Sequence, residues 1–166
     1  MPQYDWTNFT LRVPVTAEIE TIYKAWTTQE GLESWFLRKA EFTGMDGIKR
    51  TRESLLQVND RYEWLWHGYN DDSVERGTIL EINDFDFLKF SFGKAGNVSV
   101  SIKKENDETL VELVQKDIPV DEHGKVNFHL GCTKGWQFYL TNLKSILEGG
   151  IDLRNKNPEL KDIITA

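Results

Sequence analysis

From Phe9 to Val15 the residues Phe-Thr-Leu-Arg-Val-Pro-Val alternate apolar with polar, the two-residue period of a strand with one buried face. Pro14 lacks an amide donor, and its place near the end of the run suits a strand at a sheet edge. The period then changes. Ile19, Ile22, Tyr23 and Trp26 follow at i, i+3, i+4 and i+7, one apolar face of a helix. Thr16 has the chemistry and position of its N-cap, and Glu18 and Glu20 fall in the first turn, where the helix dipole favours anions. Leu32, Trp35 and Phe36 repeat the helical spacing after Thr28 and predict a second short helix paired with the first. Past Ala40-Glu41-Phe42, the stretch from Gly44 to Arg52 reads as a loop.

Between Leu55 and Gln115 strand alternation returns. It is punctuated by the turn signals Asn59-Asp60, Asn70-Asp71-Asp72, Asn83-Asp84, Gly93 to Asn97 and Asn106-Asp107, and turns this regular predict a consecutive antiparallel meander. Leu88, Phe90 and Phe92 share a face; so do Val98, Val100 and Ile102, with Ser99, Ser101 and Lys103 opposite, and Gln115 follows the inward parity of Val111 and Leu113. One sheet face is therefore apolar and the other wet. A long helix from Phe128 to Glu148 carries the stripe Cys132, Trp136, Tyr139, Leu140, Leu143, Ile146 and Leu147, and Gly149-Gly150 suits its end. Gly131 and Gly135 break the rule, since each costs up to about 1 kcal/mol against Ala in a helix interior. Their expected return is close backbone approach, to the sheet or to a ligand. After Asp152 the tail, with Pro158 and mixed charges, either frays or docks across the surface.

The run Arg61-Tyr62-Glu63-Trp64-Leu65-Trp66-His67 puts Tyr62, Trp64 and Trp66 on one strand face, with Glu63 and His67 on the solvent side if the rings point inward. Those rings are a packed core, a pocket wall or a platform for a macromolecule. Composition favours an interior role: 39% apolar and 28% charged residues are ordinary for a globular chain, while 12% aromatic residues lean toward a ring-rich core. With 166 residues a single domain is expected over 1–166, its core at about 9–150 and a tail at 151–166. A net charge of −7, from 20 Lys+Arg against 27 Asp+Glu, repels phosphate backbones and argues against nucleic acid. The basic run Lys49-Arg50-Thr51-Arg52 is an anion-binding loop or a solvated turn. A lone Cys132 excludes an intramolecular disulfide and fits a reducing compartment, as a small buried side chain or as a nucleophilic thiol. No run reaches the roughly 18 apolar residues of a membrane span, and the first residues carry no signal-peptide core, so a cytoplasmic location is expected. His67, His123 and His129 are scattered, and no metal-ligand spacing, phosphate-cradling glycine motif or nucleophile elbow is present. No metal, cofactor or catalytic residue is predicted, although an acid–base pair assembled by folding, such as His129 with a strand carboxylate, stays open.

Strand, two short helices, a run of antiparallel strands and one long C-terminal helix is the order of the helix-grip fold. Leu11 to Val15 leading into Ile19-Glu20-Thr21-Ile22-Tyr23-Lys24-Ala25-Trp26, then Thr28-Gln29-Glu30-Gly31-Leu32-Glu33-Ser34-Trp35-Phe36, resembles the opening of proteins related to the activator of the ninety-kilodalton heat-shock protein's ATPase. Gly131-Cys132-Thr133-Lys134-Gly135-Trp136 and Tyr139-Leu140-Thr141-Asn142-Leu143-Lys144 resemble that family's last helix, so the likeness spans about residues 9 to 150. These proteins belong to the START-like, polyketide-cyclase-like superfamily. The resemblance implies an α+β helix-grip fold: a curved antiparallel sheet wrapped around a long C-terminal helix, two short helices after the first strand, and a cavity between sheet and helix. Superfamily members hold lipids, hormones, polyketides or aromatic hydrocarbons there, and a minority do chemistry; fold alone does not choose. The founding activator also has a separate N-terminal domain that grips the chaperone. The few residues before Phe9 leave no room for one, so direct stimulation of the chaperone's ATPase is not expected.

Within such a cavity Tyr62, Trp64 and Trp66 become candidate ligand contacts, joined by Trp35, Phe36, Phe90, Val100, Trp136, Tyr139 and Leu140 through helix-stripe or strand-face logic. Gln115 enters because an inward polar group wants a partner, and His129 because it either reaches the cavity mouth or bonds a nearby carbonyl. The reading that follows is a non-catalytic binding protein whose partner is a small hydrophobic or aromatic molecule. The second is an interaction protein that docks on a heat-shock chaperone or on itself, through the 44–52 loop or the tail; the third is a cyclase- or lyase-like enzyme. The oligomeric state is left open.

Overall fold

Side-chain alternation decides which face of the sheet is buried, and strand pairing then decides where that face leads. In the computed structural model, which describes residues 2–164, the strands are β1 (Phe9–Pro14), β2 (Lys39–Thr43), β3 (Arg61–Leu65), β4 (Val74–Ile82), β5 (Phe87–Ser91), β6 (Asn97–Glu105) and β7 (Glu108–Lys116). Each pairs antiparallel with its neighbours in the order β1-β7-β6-β5-β4-β3-β2. The expected meander is present, and Pro14 lies on an edge strand. Two details differ from expectation. The stretch from Leu55 is not a strand, because Asn59 at φ 71° turns the chain just before β3 begins at Arg61. Lys39–Thr43, unassigned from sequence, forms the opposite edge by pairing with β3.

The inward set matches the parity reading: Leu88, Phe90, Val98, Val100, Ile102, Val111, Leu113 and Gln115 are all buried, as are Tyr62 and Trp64. Against this face lie α1 (Ile19–Thr27), α2 (Gln29–Trp35) and the C-terminal α3 (Gly131–Leu147), completing the α+β helix-grip arrangement. Thr16 is not the cap of α1. Glu18 occupies that position in an extended conformation without a side-chain bond, and the Thr16 amide instead faces Glu148 Oε2 at 3.5 Å. The cap of α2 follows the chemistry: Thr28 Oγ1 accepts from the Gly31 amide and donates to the Lys24 carbonyl, both at 2.9 Å. Gly31 has no alternative there, since a Cβ would collide with the Lys24 carbonyl. So close an approach lets Trp26 and Trp35 meet edge to face at 4.6 Å, with Trp35 Nε1 donating to the Ala25 carbonyl at 2.8 Å. Such a ring pair adds about 0.5–1.5 kcal/mol beyond the area it buries.

The last helix starts earlier than Phe128. A π-helical segment, Gly124–Leu130, runs without a break into α3. Beyond the helix the tail docks rather than frays at its base. Arg154, 8% exposed, donates to the carbonyls of Glu33 (3.0 Å), Ser34 (2.9 Å) and Leu37 (3.0 Å) and pairs with Asp152 (2.8 Å). Buried Asn142 on α3 donates to the Trp35 carbonyl at 2.7 Å and accepts the Leu153 amide at 2.7 Å. The basic run after Gly44 has internal partners: Lys49 meets Glu41 at 3.1 Å, Arg50 holds buried Asp60 with two bonds of 3.0 and 2.8 Å, and Arg52 meets Glu33 at 2.7 Å. Among the described residues, no helix is long and apolar enough to cross a membrane.

Candidate functional site

The inner face is not filled evenly. Around β3 the rings close on each other: Tyr62 and Trp64 stack at 3.9 Å between centroids, Phe90 meets Trp64 edge to face at 5.2 Å, and Phe42 meets Trp64 edge to face at 6.4 Å. Tyr62 lies flat across Gly77, where a Cβ would strike the phenol oxygen, and its hydroxyl reaches over to the Ser91 carbonyl. Past the end of β3 the packing opens. A cleft of about 480 Å³ lies there between the β3–β4 hairpin and the C-terminal helix.

The cleft is assembled from segments far apart in the chain. Trp66, Tyr69, Ser73, Val74 and Glu75 come from the hairpin, Phe36 from the end of α2, and Phe92 from the turn after β5. Asn127 of the π-helical segment and Gly131, Cys132, Gly135, Trp136 and Tyr139 of α3 form the opposite wall. Phe36 is the hub: its ring meets Trp136 at 4.9 Å, Tyr139 at 4.9 Å and Trp66 at 5.8 Å. Phe92 joins Trp136 at 5.5 Å. Gly131 and Gly135 do not serve close approach to the sheet. A Cβ on Gly135 would meet nothing within 4 Å, and one on Gly131 only the Val126 carbonyl at 3.5 Å. Their missing side chains leave space that is part of the cleft.

Of the residues singled out from sequence, the structure brings Phe36, Trp66, Trp136 and Tyr139 together on the cleft. Trp35, Tyr62, Trp64, Phe90, Val100 and Leu140 do not line it; they are buried behind it, packed in the core cluster. Gln115 is also inside rather than on the wall. Its oxygen accepts from Trp136 Nε1 at 3.0 Å and its amide donates to the Ala95 carbonyl at 2.9 Å, so it fixes the Trp136 indole from beneath. His129 does neither of the two things expected of it: it does not line the cleft, and its side chain meets a phenol rather than a carbonyl. It projects toward the N-terminal segment, where Tyr4, Trp6 and Phe9 surround the ring edge to face, and its Nε2 meets Tyr4 Oη at 2.7 Å. His67 is half-buried rather than solvent-facing, because β3 ends at Leu65 and parity lapses. Burial, followed by the charges of Arg154, Lys156 and Arg38, lowers its pKa.

Tyr69, Ser73, Val74, Glu75 and Asn127 line the cleft without having been singled out by the sequence pattern, and of these Glu75 carries charge. Glu75 pairs across the sheet with Trp64, as Gly77 does with Tyr62, so its side chain lies on the inner face with the rings. Its carboxylate rests against Gly93, where a Cβ would collide with Oε1, and it accepts the Arg76 amide at 3.1 Å. Burial raises its pKa. The signal was the parity of Glu75 with Gly77 and the buried Ile79, obscured by the charged and small residues of β4. Cys132 faces the same space with its thiol pushed up, first by burial and further by the Glu75 charge, against the lowering effect of a hydrogen bond with Gln115. A thiol so placed is protonated, not a nucleophile at neutral pH. Among the described residues, no group of three or more His, Cys, Asp or Glu side chains could hold a metal ion.

The fold recurs in solved structures. A crystal structure of a protein from Staphylococcus saprophyticus superposes with a TM-score of 0.68 at 19% identity, covering 89% of this chain and 96% of that one. The solution structure of the Aha1 dimer from Colwellia psychrerythraea gives 0.64 at 17% identity, covering 86% and 97%, and a protein from Nitrosomonas europaea gives 0.65 at 12%, covering 88% and 97%. At these identities the likeness is one of fold. Among curated protein sequences none matches the chain. The family model described as Activator of Hsp90 ATPase homolog 1-like protein matches residues 16–148, from the approach to α1 through the end of α3, and the chain belongs to that family.

Proposed function

We propose that this protein binds a small hydrophobic or aromatic ligand, without transforming it, in the cleft between the β3–β4 hairpin and α3. One observation carries the reading: Gly131 and Gly135 leave helix-wall space that no neighbouring side chain occupies, beside the rings of Phe36, Trp66, Trp136 and Tyr139. Stability alone gives no reason for glycine at either position, because glycine in a helix interior is costly. Trp66 and Trp136 in the wall make the test direct. Titration with naphthalene derivatives, flavonoids and fatty acids should change tryptophan emission in the native protein. Gly135→Leu, which projects a side chain into the cleft, should abolish the change while the fold persists by circular dichroism. An emission response that survives Gly135→Leu would place the ligand elsewhere and sink the proposal.

A second reading has its own support. Met45 and Ile48, 82% and 66% exposed, stand at the tip of the 44–52 loop, and a fold neighbour from Colwellia psychrerythraea is described as a dimer. Docking on a second copy or on a heat-shock chaperone through this tip predicts a concentration-dependent mass, or capture by the chaperone, that Met45→Ser with Ile48→Ser removes. Equal masses for both proteins and no capture of either would refute it.

A further inference from the structure

The proposed binding cleft contains a charge that core packing does not require. Glu75 is half-buried on the inner sheet face, and among the described lining residues it alone carries formal charge. Turning a carboxylate inward is costly unless something compensates it. Among the described residues no Lys or Arg forms an ion pair with it. Its neighbour Arg76 turns to the outer face and pairs with Glu63 at 2.8 Å, leaving Glu75 only the Arg76 backbone amide. The groups facing it from packed elements add no positive charge either: Tyr62 of β3 and Cys132 of α3 are neutral groups, and each is held further from ionising by the Glu75 charge, after the larger effect of burial.

The cleft that this carboxylate lines is otherwise rich in rings. Phe92 and Trp136 meet at 5.5 Å, and Trp66, Phe36 and Tyr139 continue the wall. Aromatic faces carry negative potential and attract cations, most of all where water is partly excluded. Carboxylate and rings thus favour the same sign of ligand charge, and no Lys or Arg among the described lining residues would offset the charge of a carboxylate or phosphate ligand.

Building on the binding proposal, we infer that the cleft selects an organic cation: an apolar or aromatic body bearing a protonated amine, with Glu75 as counter-ion and the rings as its cage. The body fills the space beside Gly131 and Gly135, and the ammonium group donates to Glu75. A neutral analogue loses the charge-assisted bond and leaves the carboxylate buried and unpaired.

The experiment uses the full chain and three probes of one ring system: 1-naphthylmethylamine, 1-naphthylmethanol and 1-naphthoate, which are cationic, neutral and anionic at pH 7. Binding is read by calorimetry and tryptophan emission. The amine should bind about tenfold tighter than the alcohol, and the naphthoate weakest. Glu75→Gln should erase the difference between the amine and the alcohol, so that the two bind with equal affinity, with folding confirmed by the thermal midpoint. Lowering the pH through the raised titration range of Glu75 should weaken the amine alone. An amine no tighter than the alcohol, or a preference that survives Glu75→Gln, overturns this inference and spares the binding reading. If none of the probes binds, at any concentration to which they dissolve, both fall.

Discussion

Replacing Gly135 or Gly131 by Ala tests whether the space beside the last helix serves a ligand or the fold. At Gly135 the new methyl enters emptiness, with no atom within 4 Å, and at Gly131 it comes to 3.5 Å from one carbonyl, an ordinary contact. The backbone at Gly131 is helical, φ −63° and ψ −48°, so alanine introduces no strain. What remains is intrinsic helix preference, about 0.8–1 kcal/mol in favour of Ala at each site. A chain of this length gains about 2–4 °C in midpoint per kcal/mol. Each single variant should therefore be more stable than the parent by that amount, and the double variant by nearly twice as much. Urea unfolding monitored by circular dichroism would read the change as a higher midpoint with an unchanged slope. Ligand affinity should move the other way as the cleft narrows. A loss of stability at either position would mean that close packing, not vacancy, explains the glycine, and the reasoning for a preserved space would fail with it.

Other outcomes follow from the same structure. Glu75 has its folded pKa raised above the unfolded value near 4.3, so the native state holds the proton more tightly and stability falls as pH rises through that window. Glu75→Gln should be more stable than the parent at neutral pH, with the gap closing below about pH 4; a gap of constant size in urea titrations across pH would contradict this. Arg154→Met removes donors to the Glu33, Ser34 and Leu37 carbonyls and should cost about 2–3 kcal/mol. The Asp152 carboxyl, which burial alone would raise, is held well below the usual range by hydrogen bonds from Arg154 and Lys156. That contribution is complete above the ordinary Asp value near 4 and is lost as pH falls below it, so Arg154→Met should flatten the acid limb of the stability curve. Thr28→Ala deletes the α2 cap and should lower stability by about 1 kcal/mol, readable as a shift of the urea midpoint, whereas Thr28→Ser should retain most of it.

Where the chain repeats a simple period, sequence and structure agree. Leu88 with Phe90, Val98 with Val100 and Ile102, and Val111 with Leu113 and Gln115 all face inward as their alternation requires. The edge position of β1 follows from Pro14. The cleft was less legible because alternation says which side of a strand is buried and not what stands opposite. Tyr62 and Trp64 are on the expected face, yet they meet one another and Phe90 instead of open space. The place of His129 was not legible because its ring meets Tyr4 and Trp6, long-range contacts that no period announces, from a segment that winds as a π-helix between Gly124 and Leu130. Glu75 was obscured for a third reason. Its inward direction follows from its pairing with Trp64, a long-range register that β4, with Arg76 and Gly77 in its middle, does not announce.

Because Phe36, the 66–75 hairpin, Phe92 and the 127–139 helix surface meet only when every layer is in place, the unfolded chain has no partial version of the cleft. Any occupant must then act on the folding equilibrium of the whole molecule, adding about 2.7 kcal/mol at a hundredfold excess over its dissociation constant. Melting temperature becomes a chemical sensor, and a library of metabolites can be ranked on this protein without labels or an assay for turnover.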